Sequence, residues 1–169
     1  LAMEAAMLKQ WYRQQETSAE SLAVSQLVRD AAAKLLAAEQ ASPAIADPVT
    51  PEAAARKLAD LAQLRDSLNR DLGSFLAAHE FTSYFLCDKE ATIVASSQAE
   101  LLGKSQIEEY RGFVRAALKG QTTVSAPFKS VSAIKNADGV LQYNVPTMFV
   151  AAPVRDSTFQ VVAAIAFRI

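Results

Sequence analysis

The chain has 169 residues, 51% of them apolar, and its 17 Lys and Arg stand against 18 Asp and Glu for a formal net charge of -1. That is enough for one domain with a packed core, it excludes global disorder, and it argues against a nucleic-acid binder, which shows a basic excess. One cysteine (Cys87), one histidine (His79) and five glycines exclude an intrachain disulfide, a cysteine-cluster or multi-histidine metal centre, and a glycine-rich phosphate cradle.

Residues 1 to about 80 are rich in Ala, Leu, Gln, Glu and Arg, which is helix composition. A first helix is expected from Met3 to Gln40. At about 100° per residue, Leu8, Trp11, Tyr12, Ala19 and Leu22 gather on one side, and Val24, Leu27, Val28, Ala31 and Leu35 on the opposite side. Such a helix either meets two different neighbours along its length or kinks near Ser25. Pro43 and Pro48 mark a break over Ser42 to Thr50. The second helix starts with Thr50 as N-cap, Pro51 at the first helical position and Glu52 in the first turn. Leu58, Leu61, Leu64, Leu68, Leu72, Phe75 and Leu76 form one stripe, so this helix is expected to pack along its whole length and end near His79.

From about residue 81 the composition turns to Phe, Val, Ile, Thr and Ser in short runs, which is strand composition. Two strands are expected at Ser83–Cys87 and Ala91–Ser96, joined by a tight turn at Asp88-Lys89-Glu90. A loop closes at Leu102-Gly103. A short helix follows from Ile107 to Lys119, stopped by Gly120 at its C′ position. A strand is expected from Thr122 to Val131, and Asn136 to Gly139 is a turn cluster. The last two strands are expected at Thr147–Val154 and Phe159–Ile169, joined at Arg155 to Thr158. The final strand is apolar on both faces, which places it centrally and covers it on both sides. Hairpin connections make the sheet antiparallel, and the preceding helices must cover one of its faces. The expected fold class is therefore α+β, with long N-terminal helices packed on a five- to six-stranded antiparallel sheet.

Several segments, in order, resemble the Cache family of PAS-like sensor domains. Tyr84 to Ser96 resembles the first hairpin, a strand, an Asp turn and a strand ending in Ala-Ser. Leu102-Gly103-Lys104 resembles the family's "lGk" loop. Arg111 to Gly120 resembles its helix, and Val124-Ser125-Ala126-Pro127 the strand after it. Ala151 to Asp156 with Val161 to Ile165 resembles the closing hairpin. Ala91 and Phe159 depart from the pattern, standing at or near positions that are commonly glycine. The resemblance implies residues 1–80 as a helical stalk and covering helix, and residues 81–169 as a single PAS-like sheet with a ligand pocket. It also implies an extracytoplasmic sensing domain of a bacterial membrane receptor. No cofactor, metal or nucleic acid is expected. The parent chain would be membrane-anchored. Leu1 in place of Met, and an apolar run at Ile169, read as a piece of a longer protein whose spans lie outside it, since no apolar run here approaches about 20 residues.

Arg111 is the first candidate for ligand contact. It stands beside Ile107, Val114 and Leu118 on the short helix, where a guanidinium can take a carboxylate bidentately. The resemblance implies the same role, because the equivalent arginine binds the carboxylate in members that take amino or organic acids. Tyr110 and Phe113 flank it as pocket walls or as packing against the sheet. Ser125, Phe128, Tyr143, Met148 and Val150 lie on strands expected to face that helix, with register undecided. No Asp is placed for a ligand amine on the last strands, since Asp156 sits in a tight turn. A small organic acid is thus favoured over an amino acid. His79 reads as a helix-end residue and Cys87 as a buried hydrophobe. Trp11 and Tyr12 read either as residues near a bilayer surface or as part of a homodimer contact shared with Leu8 and Leu22. No catalytic set can be assembled: His79 is the only base for a triad, and the adjacent Glu108 and Glu109 point to different sides. The competing function is a structural, dimerisation or protein-interaction module whose pocket has collapsed.

Overall fold

A computed structural model describes residues 2–40, 50–136 and 138–169. The expected first helix is two helices, α1 (Ala2–Ala23) and α2 (Gln26–Gln40). Ser25 makes the break. Its hydroxyl donates to the Leu22 carbonyl at 2.6 Å and accepts from the Val28 amide at 3.3 Å, so it ends one helix and caps the next. The turn resolves the two apolar faces read from the sequence. Ala19 and Leu22 before it, and Val28, Ala32 and Leu35 after it, enter the same core.

Most of the proline-containing break lies outside the described residues. Helix α3 (Pro51–Ala78) begins as expected, with Thr50 Oγ1 accepting from the Ala53 amide at 3.2 Å and His79 closing the far end. Leu61, Leu68, Leu72 and Leu76 are buried, but Leu58 and Phe75 are exposed, so the stripe is not covered along its whole length. The covering helix is too short: α2 ends at Gln40 beside Lys57, whose ammonium donates to the Glu39 carbonyl at 3.1 Å.

The principal sheet contains β1 (Ser83–Cys87), β2 (Ile93–Ser96), β3 (Thr123–Val124), and two strands after the long excursion. In the order β2-β1-β9-β8-β3, β8 is Phe149–Arg155 and β9 is Val161–Arg168. β9 pairs antiparallel with both β1 and β8, which is the central position that its two apolar faces require. Alternation then divides the core in two. Val150, Ala152, Val154, Ala163, Ile165 and Phe167 face α1, α2 and α3. Phe85, Cys87, Phe149, Ala151, Ala164 and Ala166 face the short helix α4 (Arg111–Leu118), which a 3-10 turn at Glu108–Tyr110 precedes.

The strand expected over Thr122–Val131 is interrupted. β3 pairs with β8, the chain steps away at Ser125 to Pro127, and β4 (Phe128–Lys129) pairs instead with β7 (Pro146–Thr147). Pro127 has no N–H for a ladder, and β8 accordingly starts at Phe149 rather than Thr147. Between β4 and β7, β5 (Ile134–Lys135) and β6 (Leu141–Gln142) form a two-stranded ribbon.

Three hairpin turns share one geometry. Asp88, Asn136 and Asp156 each use Oδ1 to accept from the amides two and four residues on, at 2.8–3.1 Å. In each, the residue three places on is left-handed: Ala91 (φ 61), Gly139 (φ 78) and Phe159 (φ 65). The side-chain carboxylate or amide replaces a missing backbone acceptor. The Asp156 carboxyl is held below its ordinary value, mainly by the Thr158 hydroxyl. The two family-pattern departures are therefore departures of side chain only: the backbone adopts the glycine conformation without glycine.

Candidate ligand site at the short helix

The face of the sheet under α4 carries small side chains on its central strands, Ala151, Ala164 and Ala166. Small residues there leave height for rings, and five rings fill it. Phe85 stacks on Tyr110 at 4.9 Å and 8°, and Phe113 on Phe149 at 5.6 Å and 7°. Tyr110 lies 5.3 Å from Phe149, and Phe128 closes the cluster at 5.9 Å from Tyr110 and 6.1 Å from Phe113. The space between sheet and helix at its middle is occupied by the protein itself.

An open groove of about 360 Å³ remains at one end, between the β1–β2 hairpin and α4. Its floor is apolar: Phe85, Cys87, Ile93, Tyr110, Val114 and Leu118. Its rim is cationic: Lys89 comes from the hairpin tip and Arg111, Arg115 and Lys119 from the helix, with Glu90 as the one acid. The helical cations recur every four residues, so they share one face. That spacing is legible in the sequence, and it is the signal by which Arg115 and Lys119 could have been found along with Arg111. Lys89 has no such signal, because only strand pairing brings the hairpin tip to the helix. An apolar floor with convergent cations suits a small organic anion.

The structure brings together some of the expected site residues and separates others. Arg111 is exposed on the groove rim, and Tyr110 lies beneath it as floor. Burial pushes the Tyr110 phenol up to about 12, so it stays a neutral donor. Phe113, Ser125 and Phe128 lie on the opposite flank of α4, lining a shallower cleft. Ser125 is committed to the backbone, with its Oγ accepting from the Phe149 amide at 2.9 Å. Tyr143 is 69% exposed on the β6–β7 connection and lies on no strand. Met148 is half-buried in the bend between β7 and β8 and belongs to neither core. Val150 is fully buried on the far side of the sheet, against the long helices, because its neighbour Phe149 takes the α4 side.

Cys87 lies in the groove floor, where its thiol donates to the Ala164 carbonyl at 3.5 Å and burial pushes it up to about 12. It is a protonated packing group there, not a nucleophile. Among the described residues no cluster of His, Cys, Asp and Glu could hold a metal ion, and no helix is long and apolar enough to cross a membrane.

The fold has known counterparts. The sensor domain of the V. cholerae histidine kinase DctB matches with a TM-score of 0.53 at 15% identity, over 98% of this chain and 49% of that one. The E. coli DcuS sensor domain matches with a TM-score of 0.52 at 13% identity, over 94% of this chain and 86% of that one. The extracellular domain of vpHK1S-Z8 matches with a TM-score of 0.54 at 14% identity, over 99% of this chain and 53% of that one. The chain thus spans about half the length of the first and third and most of the second. No protein-family model matches the chain, and no curated protein matches it in sequence. What these likenesses share with the chain is the fold: long N-terminal helices on one face of an antiparallel sheet and a short helix on the other.

Proposed function

We propose that the chain is an extracytoplasmic ligand-sensing domain of a membrane signalling receptor, and that it takes a small carboxylate in the α4 groove. The observation that carries this reading is Arg111. It stands on the groove rim in line with Arg115 and Lys119 and faces Lys89, and among the described residues it makes no hydrogen bond or ion pair. Signal passage follows from the layering. α4 packs on β8 and β9 from one side and α1 packs on the same two strands from the other. A ligand that draws α4 towards the hairpin biases both strands, and through them α1.

The test is thermal stabilisation of the domain by a panel of small mono- and dicarboxylates at fixed ionic strength. Arg111→Ala is expected to weaken binding of any stabilising acid about 10- to 100-fold, the range for losing a charge-assisted contact. Arg111→Lys is expected to recover part of it. Stabilisation unchanged in Arg111→Ala removes the role of this residue.

The filled aromatic interior favours a second reading, an interaction module that works without a ligand. On either reading the first half of α1 is a surface for a second copy of the chain. Met3, Met7 and Leu8 are 76%, 65% and 54% exposed along it, with Trp11 and Tyr12 half-buried beside them. Leu8→Glu is expected to shift sedimentation equilibrium from dimer to monomer. A wild-type chain that is monomeric at high micromolar concentration overturns the homodimer.

A further inference from the structure

The α4 groove continues past the end of its helix. A second open cleft, of about 490 Å³, adjoins it, and Lys89, Leu118 and Lys119 line both. The second cleft forms where the β8–β9 hairpin meets the end of α4. Arg155 fixes that meeting: its guanidinium donates to the Gly120 carbonyl at 3.4 Å and to the Phe159 carbonyl at 3.0 Å. Gly120 permits the approach. A Cβ there would stand 2.9 Å from Arg155 Nη2, pushing the guanidinium away, and 3.9 Å from Val161 Cγ2.

The apolar lining runs through the junction. Val114 and Leu118, one helical turn apart, belong to the groove, and Val161 and Phe159 carry the strip into the second cleft. Phe159 is 79% exposed, joins neither core, and has a φ of 65°, a conformation that a side chain adopts at a steric cost. Strain and exposure at the mouth of a cleft mark a contact position rather than a packing position. Lys89, Arg111, Arg115 and Lys119 flank the strip and are all exposed. Exposed cations attract an anion, but water screens each of them, so the apolar strip sets the size of the ligand. From Arg111 to Leu118 the helix rises about 10 Å, and Phe159 lies beyond. An acid as short as acetate, anchored at Arg111, leaves most of that strip uncovered.

We infer that the groove takes a straight-chain monocarboxylate of medium length, with the carboxylate at Arg111 and the chain laid along Val114 and Leu118 towards Val161 and Phe159. The inference rests on the reading of the groove as a carboxylate site and adds the chemical class of the acid. A span of about 10 Å corresponds to a chain of about eight carbons.

The experiment is NMR titration of the domain with sodium butanoate, hexanoate, octanoate and succinate, each below any micelle concentration, at constant ionic strength. Octylammonium chloride is the control for unspecific apolar binding. The probes are the amides of Leu118, Lys119, Phe159 and Val161. Affinity is expected to rise about two- to fourfold with each added methylene. Succinate is expected to bind no more tightly than butanoate, and octylammonium not to bind. Phe159→Gly, with Phe159→Ala as a second variant, is expected to leave butanoate unchanged and to weaken octanoate severalfold. Arg111→Ala is expected to weaken all the acids alike, so that the ratio of octanoate to butanoate affinity is kept. Affinity independent of chain length, with Arg111→Ala still weakening binding, overturns this inference and leaves the carboxylate site standing. Octylammonium binding as tightly as octanoate, or octanoate affinity unchanged in both Phe159 variants, also overturns it. Octanoate affinity unchanged in Arg111→Ala overturns both readings.

Discussion

Phe149→Ala is expected to lower the unfolding free energy by about 3–5 kcal/mol, measured by denaturant titration with an unchanged slope. Phe149 is 2% exposed and lies within 5.3–6.0 Å of the rings of Phe85, Tyr110, Phe113 and Phe128. On its face of the sheet Ala151 and Ala166 are too short to extend into the vacated space, and its β9 partner Arg168 is held by the Thr82 hydroxyl, so the cavity persists. The variant is therefore expected to regain stability in the presence of a small apolar guest such as benzene, as dry apolar cavities do. A loss below about 1 kcal/mol would mean that the aromatic layer collapses freely around the gap.

Ala91→Gly and Phe159→Gly are expected to raise stability by about 1 kcal/mol each, read as a higher denaturant midpoint. A non-glycine residue in the left-handed region carries a steric penalty of about 1–2 kcal/mol, of which the added chain entropy of glycine returns a part. Little packing is lost in exchange: Phe159 is 79% exposed, and Ala91 contributes one methyl at the edge of the second core. Gly139→Ala, in the third turn of the same geometry, is expected to cost about 1 kcal/mol. A destabilised Phe159→Gly would show that its ring has a stabilising contact that exposure conceals.

Much of the fold is legible where a short-range cause acts alone. Thr50-Pro51-Glu52 starts α3 because the cap, the ring and the acid each satisfy the first turn locally. The Asp88 and Asp156 turns fall where a short acid can reach amides two and four residues on. The double-faced apolar run of β9 announces its central place. The single break at Ser25 was one of two readings of the changing face, and burial of both halves in one core selects it. The interruption at Pro127 and the exposure of Leu58 are less legible, because both depend on which neighbour is present rather than on the segment itself.

The site divides in the same way. Arg111 and Tyr110 could be read from the helix, and the four-residue spacing to Arg115 and Lys119 lies in the sequence as well. Whether Val150 or Phe149 meets α4 depends on a one-residue choice of register, which pairing with β9 makes. The sequence by itself determined the class of fold, the turns and the cationic helix face, since capping, alternation and turn chemistry act over a few residues. Only the tertiary structure decided that five rings fill the space under α4, that Lys89 joins the groove rim, and that Val150 faces the long helices while Phe149 faces α4. Those outcomes arise from contacts between segments far apart in the chain, where burial and pairing are set by the partner and not by the residue.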